Sequence, residues 1–368
     1  MSHDESHNPP DRELANSSEM VGASPESVES SPDASPIIQA ELGESPVVAP
    51  PITDSRVSTS SRNWVAEVSE DWAKLVAKRP RIWTALAVAI LALPLGWIVS
   101  LIVTWLVLVA TVGPAAIRTP AMFSTEMKAL STTPLGLVVM ALPGQLTFLA
   151  CALGAAALSP VPWRERLGLG RGTFPIWSWP VLAFATPVVA FITSLTLGMF
   201  MKEPSDHMLW MEKLFREQPL SLLPLLLLLI GVLPGLGEEL LYRGYVQGRL
   251  AKVWPASLSI LLTSVIFGLA HVDPTHALHV IPLGIWLGIL AWRTESLWPT
   301  ILGHAANNSL ALIMMRMIDR STTPPTVNHN VGILVLGALG SFVIALVLLV
   351  ISGRPLTWRD IFCAPHRP

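Results

Sequence analysis

Residues 219–236 read PLSLLPLLLLLIGVLPGL and carry no charged side chain. About 20 apolar residues in a helix cross the hydrocarbon core of a bilayer. In that medium only helices and closed barrels satisfy their own backbone polar groups. Comparable apolar runs recur near 82–112, 134–158, 176–200, 219–250, 255–272, 277–292, 297–317 and 330–352. The pattern predicts an all-α, polytopic membrane bundle of about eight transmembrane helices. The fifth and sixth runs are short, so one of them is expected to tilt or re-enter. Only 14% of the residues are charged, where a soluble domain carries about a quarter. Many of the 14 tryptophans flank the apolar runs, as interface anchors do.

The net charge of −2 hides an asymmetry: residues 1–60 hold eleven acids against Arg12 and Arg56, which leaves the rest of the chain at +7. That first stretch is rich in Ser, Pro, Glu and Asp, too polar to bury a core, and reads as a disordered acidic tail. Residues 61–81 place Trp64, Val68, Trp72 and Leu75 or Val76 at helical spacing and end in Lys74, Lys78, Arg79 and Arg81. They read as an amphipathic helix lying on an anionic leaflet. Transmembrane helices then fill 82–200, a polar-bearing core occupies 219–317, a last span covers 330–352, and 353–368 form a tail. With eight spans, Arg164, Arg166, Arg171, Arg249, Lys252, Arg293, Arg354 and Arg359 fall on one side, and Arg316 and Arg320 on the other. The positive-inside rule makes the first side, with both termini, cytoplasmic. No signal peptide, disulfide framework or aromatic-basic stripe for nucleic acid is visible.

An ionisable group inside a span costs about 2.5–3.5 kcal/mol on insertion scales, so it persists when paired or when it does chemistry. Three clusters qualify. Glu239 and Arg243 form an i,i+4 pair, whereas Glu238 points about 100° away and has no local partner. Gly231, Pro234, Gly235 and Gly237, just upstream, permit a kink and close helix approach. Phe267 and His271 share a helical face. His304 and Asn308 do the same, with Asn307 pointing elsewhere. Asp273, His276 and His279 are read as a solvated loop. Taken singly, each His or Asn is a routine interhelical hydrogen-bonding group. Together, one carboxylate and one imidazole can take a proton from water, and a second imidazole and an amide can donate to an oxyanion. Glu238, His271 and His304 could instead hold zinc with water in the open position. At 1.5 Å per residue, Glu238 and His271 can meet only if one long helix runs from about 219 to 250.

EELLYR (Glu238 to Arg243), FGLAH (Phe267 to His271) and HAANN (His304 to Asn308) resemble, in order and spacing, motifs of one family. These are the EExxxR, FxxxH and HxxxN motifs of the CAAX prenyl endopeptidase and bacteriocin-processing (abortive-infection) membrane proteins. The resemblance spans about 219–317. It implies an all-helical intramembrane endopeptidase open to the cytoplasm of a bacterial inner membrane, acting on a peptide or protein at the bilayer, CAAX-like prenylated or other. Glu238 and His271 would activate water, His304 and Asn308 would stabilise the oxyanion, and Glu239, Arg243 and Phe267 would support them. The family has been described both as metalloproteases and as glutamate peptidases. The amide of Asn308 favours the metal-free version, with no cofactor. A non-catalytic immunity or scaffold protein is the competing class, and a transporter, which needs polar groups along a through-path, ranks last.

Overall fold

The structure, a computed structural model, describes residues 81–201, 203–319, 326–327, 329–352 and 357–363. The acidic tail expected over 1–60 and, apart from Arg81, the amphipathic helix expected over 61–81 lie outside the described residues. The helices are α1 (Ile82–Val112), α2 (Pro120–Ser131), α3 (Pro134–Ala157), α4 (Ser178–Gly198) and α5 (Asp206–Arg216). A composite helix, α6 (Leu220–Leu250), follows. After it come α7 (Ala256–Leu269), α8 (Pro274–Thr294), α9 (Trp298–Met317), α10 (His329–Ile351) and the short α11 (Trp358–Phe362). A two-residue antiparallel pairing of Ile318–Asp319 with Thr326–Val327 is the only strand structure among the described residues.

Each of the eight apolar runs is a helix, but six are long and apolar enough to cross a membrane: α1, α3, α4, α6, α8 and α10. The two that fall short differ in cause. At 14 residues, α7 rises only about 21 Å. His304, Asn307, Asn308 and Arg316 lower the hydropathy of α9, which has 20 residues. The sixth run is longer than its apolar core suggests, because Asp273 caps α8 by accepting the His276 N–H at 2.8 Å. Pro274 then occupies the first turn, where a missing N–H costs nothing. His276 and His279 are therefore helical and not in a loop, which corrects the reading of that segment. Apolar side chains such as Ile90, Leu101, Phe191, Leu258 and Val343 point outward, as lipid-facing surfaces do.

Helix α6 runs unbroken through both carboxylates, but not as a uniform α-helix. Residues Leu227–Val232 and Leu240–Gln247 are wound as π turns. It lies between α3 and α9, and small residues set the spacing. Gly235 faces α9, where an added Cβ would lie 2.9 Å from the Ala305 amide nitrogen and 3.0 Å from the Ile301 carbonyl oxygen. Both neighbours are backbone and cannot swing aside, so Gly235→Ala is expected to cost about 1–3 kcal/mol by overpacking. Unfolding in detergent checks this, and a Gly154→Ala control, with open space around its Cβ, should be near neutral.

Basic residues from distant segments gather at one end of the bundle. Arg249 Nη1 donates to Thr84 Oγ1 at 2.6 Å and lies 3.4 Å from the Arg81 carbonyl. Arg293 Nη2 donates to the Ser352 carbonyl at 2.7 Å, and Ser257 Oγ to the Ile361 carbonyl at 2.8 Å. The α3–α4 connection joins the same end through Leu297 N–H to the Gly168 carbonyl, 2.9 Å. Burial and the adjacent Arg249 hold the Arg166 guanidinium below its usual range, and burial and Arg166 do the same to Lys252. Arg316 sits at the opposite end, donating to the Phe215 carbonyl of α5 at 2.7 Å.

Candidate active site

The two carboxylates of α6 diverge as one-residue spacing requires. Glu239 turns inward with Arg243, Nη1 to Oε1 2.7 Å, and neither side chain has any exposed surface. Arg243 also donates from Nη2 to the Gly284 carbonyl of α8 at 3.1 Å, and its Cζ lies 4.2 Å from the centre of the Phe267 ring. A Cβ at Gly284 would lie 3.1 Å from that Nη2, so only glycine leaves this carbonyl fully open to the guanidinium. One arginine thereby ties α6, α7 and α8 with hydrogen bonds and a cation–π contact.

Glu239 has a second partner that spacing along one helix could not reveal. Its Oε1 also receives His304 Nδ1 from α9, at 2.9 Å. An ionised carboxylate only accepts, so the His304 proton sits on Nδ1. That turns Nε2 towards Glu238, 3.9 Å from Oε2. The other Glu238 oxygen, Oε1, accepts from Gln145 Nε2 of α3 at 3.1 Å. Glu238, Glu239, Arg243 and His304 are all buried, at the junction of α3, α6, α8 and α9.

His271 follows the end of α7, and its Nδ1 meets the Phe267 carbonyl at 3.0 Å. A carbonyl accepts, so Nδ1 carries the proton and Nε2 is the free lone pair. No hydrogen bond or ion pair joins His271 to Glu238. The link runs through Phe267, whose ring stands edge-on to His271 at 5.1 Å and to His304 at 5.8 Å. His276 packs its ring against His271 at 4.7 Å. Val272, the next residue, has φ +65°, a strained conformation for a β-branched residue. The turn is held from outside as well. Hydrogen bonds from the Ser205 side chain and the His276 N–H hold the Asp273 carboxyl below the ordinary range.

Asn308 stands one turn beyond His304, and its Nδ2 donates to the Ile230 carbonyl at 3.1 Å. Pro234, four residues on, has no N–H to give that carbonyl an α-helical bond. Asn307 donates to Asn308 Oδ1 at 3.1 Å. One Asn308 N–H is thus engaged in joining α9 to α6, and one remains.

A zinc site would need Glu238, His271 and His304 to converge. Among the described residues no three His, Cys, Asp or Glu side chains are grouped to hold a metal ion. Both histidines hold Nδ1 on protein partners and leave Nε2 free.

Fold and site together define a helical integral membrane protein with a buried carboxylate–imidazole cluster inside the bundle. Residues 220–310 match the family model described as "Type II CAAX prenyl endopeptidase Rce1-like". The chain is also 30% identical over 91 residues to "Putative membrane peptidase YdiL" of Bacillus subtilis (strain 168), covering 25% of this chain and 37% of that protein. No solved structure matches. All three motifs lie inside the matched segment, whereas Gln145 lies outside it.

Proposed function

We propose that the protein is an intramembrane endopeptidase that hydrolyses a peptide bond of a membrane-associated substrate without a metal. The observation that carries this reading is Glu238, a buried carboxylate whose Oε2 faces His304 Nε2 at 3.9 Å. Its other oxygen is held by an amide and not by a cation. In the proposed reaction Glu238 removes a proton from water as the water oxygen bonds to the substrate carbonyl carbon. The free lone pair of His271 Nε2 shares that acceptor role. The remaining Asn308 N–H donates to the oxyanion, and His304 adds an Nε2–H donor as the imidazolium, its Nδ1–H staying on Glu239. Collapse breaks the C–N bond and returns the proton to the leaving nitrogen, giving an acid and an amine. The basic end of the bundle faces the cytoplasm by the positive-inside rule, and the substrate enters from that leaflet of a bacterial inner membrane. The family name of the matched segment favours a C-terminal, prenylated substrate.

A scaffold without chemistry accounts for Glu239 and Arg243, and for the engaged N–H of Asn308. It gives no reason to bury Glu238 opposite an imidazole. The test is cleavage of a fluorogenic prenylated peptide by purified protein in lipid nanodiscs. His271→Ala is expected to lower kcat by about 10²-fold. Wild-type activity should survive a chelator. Activity lost with chelator and restored by stoichiometric zinc would replace the metal-free mechanism, and full activity in His271→Ala would remove that residue from it.

A further inference from the structure

Gln145 belongs to neither the three motifs nor the matched segment, yet it holds the Glu238 carboxylate. It sits in α3, a helix with no charged side chain. Its orientation is forced: a carboxylate oxygen needs a donor, so Nε2 faces Glu238 at 3.1 Å and Oε1 must face the other way. Oε1 is buried and has no protein partner among the described residues. A Cβ on Gly237 would lie 3.4 Å from Oε1 and 3.1 Å from the Gln145 carbonyl. The missing side chain at 237 therefore lets the amide lie against the α6 backbone beside Glu238. Tyr242, one turn from Glu238, likewise buries a hydroxyl without a protein partner among the described residues. Buried polar atoms are satisfied by protein or by water in nearly all native structures, and a buried water takes two to four such partners.

A nucleophilic water has two O–H bonds. One proton goes to the general base. The other needs an acceptor, or the water rotates and its lone pair leaves the line of attack. We infer that Gln145 is a further residue of the hydrolytic site: its N–H fixes Glu238, and its Oε1 accepts the second O–H of the attacking water. This rests on the peptidase reading. It adds a residue from α3, outside the segment that carries the motifs.

Two readouts separate the claims. Gln145→Met keeps the volume and removes donor and acceptor. It is expected to lower kcat by about 10- to 100-fold through misplacement of the water, with KM within about threefold. Infrared difference spectra of wild type minus Glu238→Gln isolate the Glu238 carboxylate band, which should shift in Gln145→Met whether or not any peptide is cleaved. Should Gln145→Met fail to fold, Gln145→Glu serves. Its neutral form keeps a donor and an acceptor, so its activity should recover as pH falls and vanish as the two carboxyls lose their shared proton. A folded Gln145→Met with wild-type kcat and an unmoved band overturns the inference. Should wild type cleave nothing, the peptidase reading fails, while the band decides the Gln145–Glu238 bond: a shift supports it and an unmoved band overturns it.

Discussion

Glu238→Gln is expected to lower kcat by about 10²–10⁴-fold, the range assigned to a general base, and to leave the fold intact. The substitution changes one oxygen for one NH2 group at the same size. Gln145 can still donate to the remaining carbonyl oxygen, so the α3–α6 bond survives. A neutral amide is also cheaper to bury than a carboxylate. Purified Glu238→Gln should therefore unfold within a few degrees of wild type while losing cleavage. A variant that keeps both its fold and its activity would show that the proton goes elsewhere and that Glu238 is structural. The comparison is informative because, among the described residues, Glu238 makes one protein hydrogen bond, to Gln145, and no ion pair with arginine or lysine.

Arg243→Ala is expected to act oppositely, through stability. It removes the 2.7 Å pair with Glu239, the 3.1 Å bond to Gly284 and the stacking on Phe267. Glu239, with no exposed surface, is left with His304 as its single partner. Stranding a buried charge costs about 3–5 kcal/mol, enough to consume much of a marginal stability. Chemical unfolding in detergent measures the loss. Arg243→Lys should rescue little, because a point ammonium cannot reach a carboxylate and a carbonyl on different helices with a fixed fork. The double variant Glu239→Gln/Arg243→Met should lose less than Arg243→Ala alone, since no unpaired charge remains. Equal losses would mean that Arg243 acts by packing.

The membrane class, the long α6 helix and the Glu239–Arg243 pair were legible because each depends on periodicity or spacing within one segment. The same logic shows why other parts were not. Periodicity says which face of a helix avoids lipid but not what that face meets. Gln145 and Glu238 are 93 positions apart, and no pattern within α3 distinguishes this amide from a routine interhelical hydrogen bond. The Glu239–His304 bond links residues 65 apart, so the motifs point His304 to an oxyanion or to zinc and give no sign of Glu239. The helical placement of His276 was accessible: an Asp-Pro start is a helix-capping signal, obscured by the polar residues that follow. The π turns of α6 and the positive φ of Val272 had no signal of their own.

The Ile230 carbonyl gives α6 and α9 a shared origin of measurement. Two regular helices lying side by side look nearly alike after a slide of one residue, 1.5 Å, combined with a turn of about 100°. Smooth apolar faces in lipid oppose such a slide only weakly. A carbonyl denied its α-helical N–H by Pro234 and met by Asn308 at 3.1 Å breaks that degeneracy. His304 lies one turn from Asn308, and Glu238 lies four residues past Pro234. The depth at which imidazole and carboxylate face each other is thus calibrated by a peptide hydrogen that proline does not have.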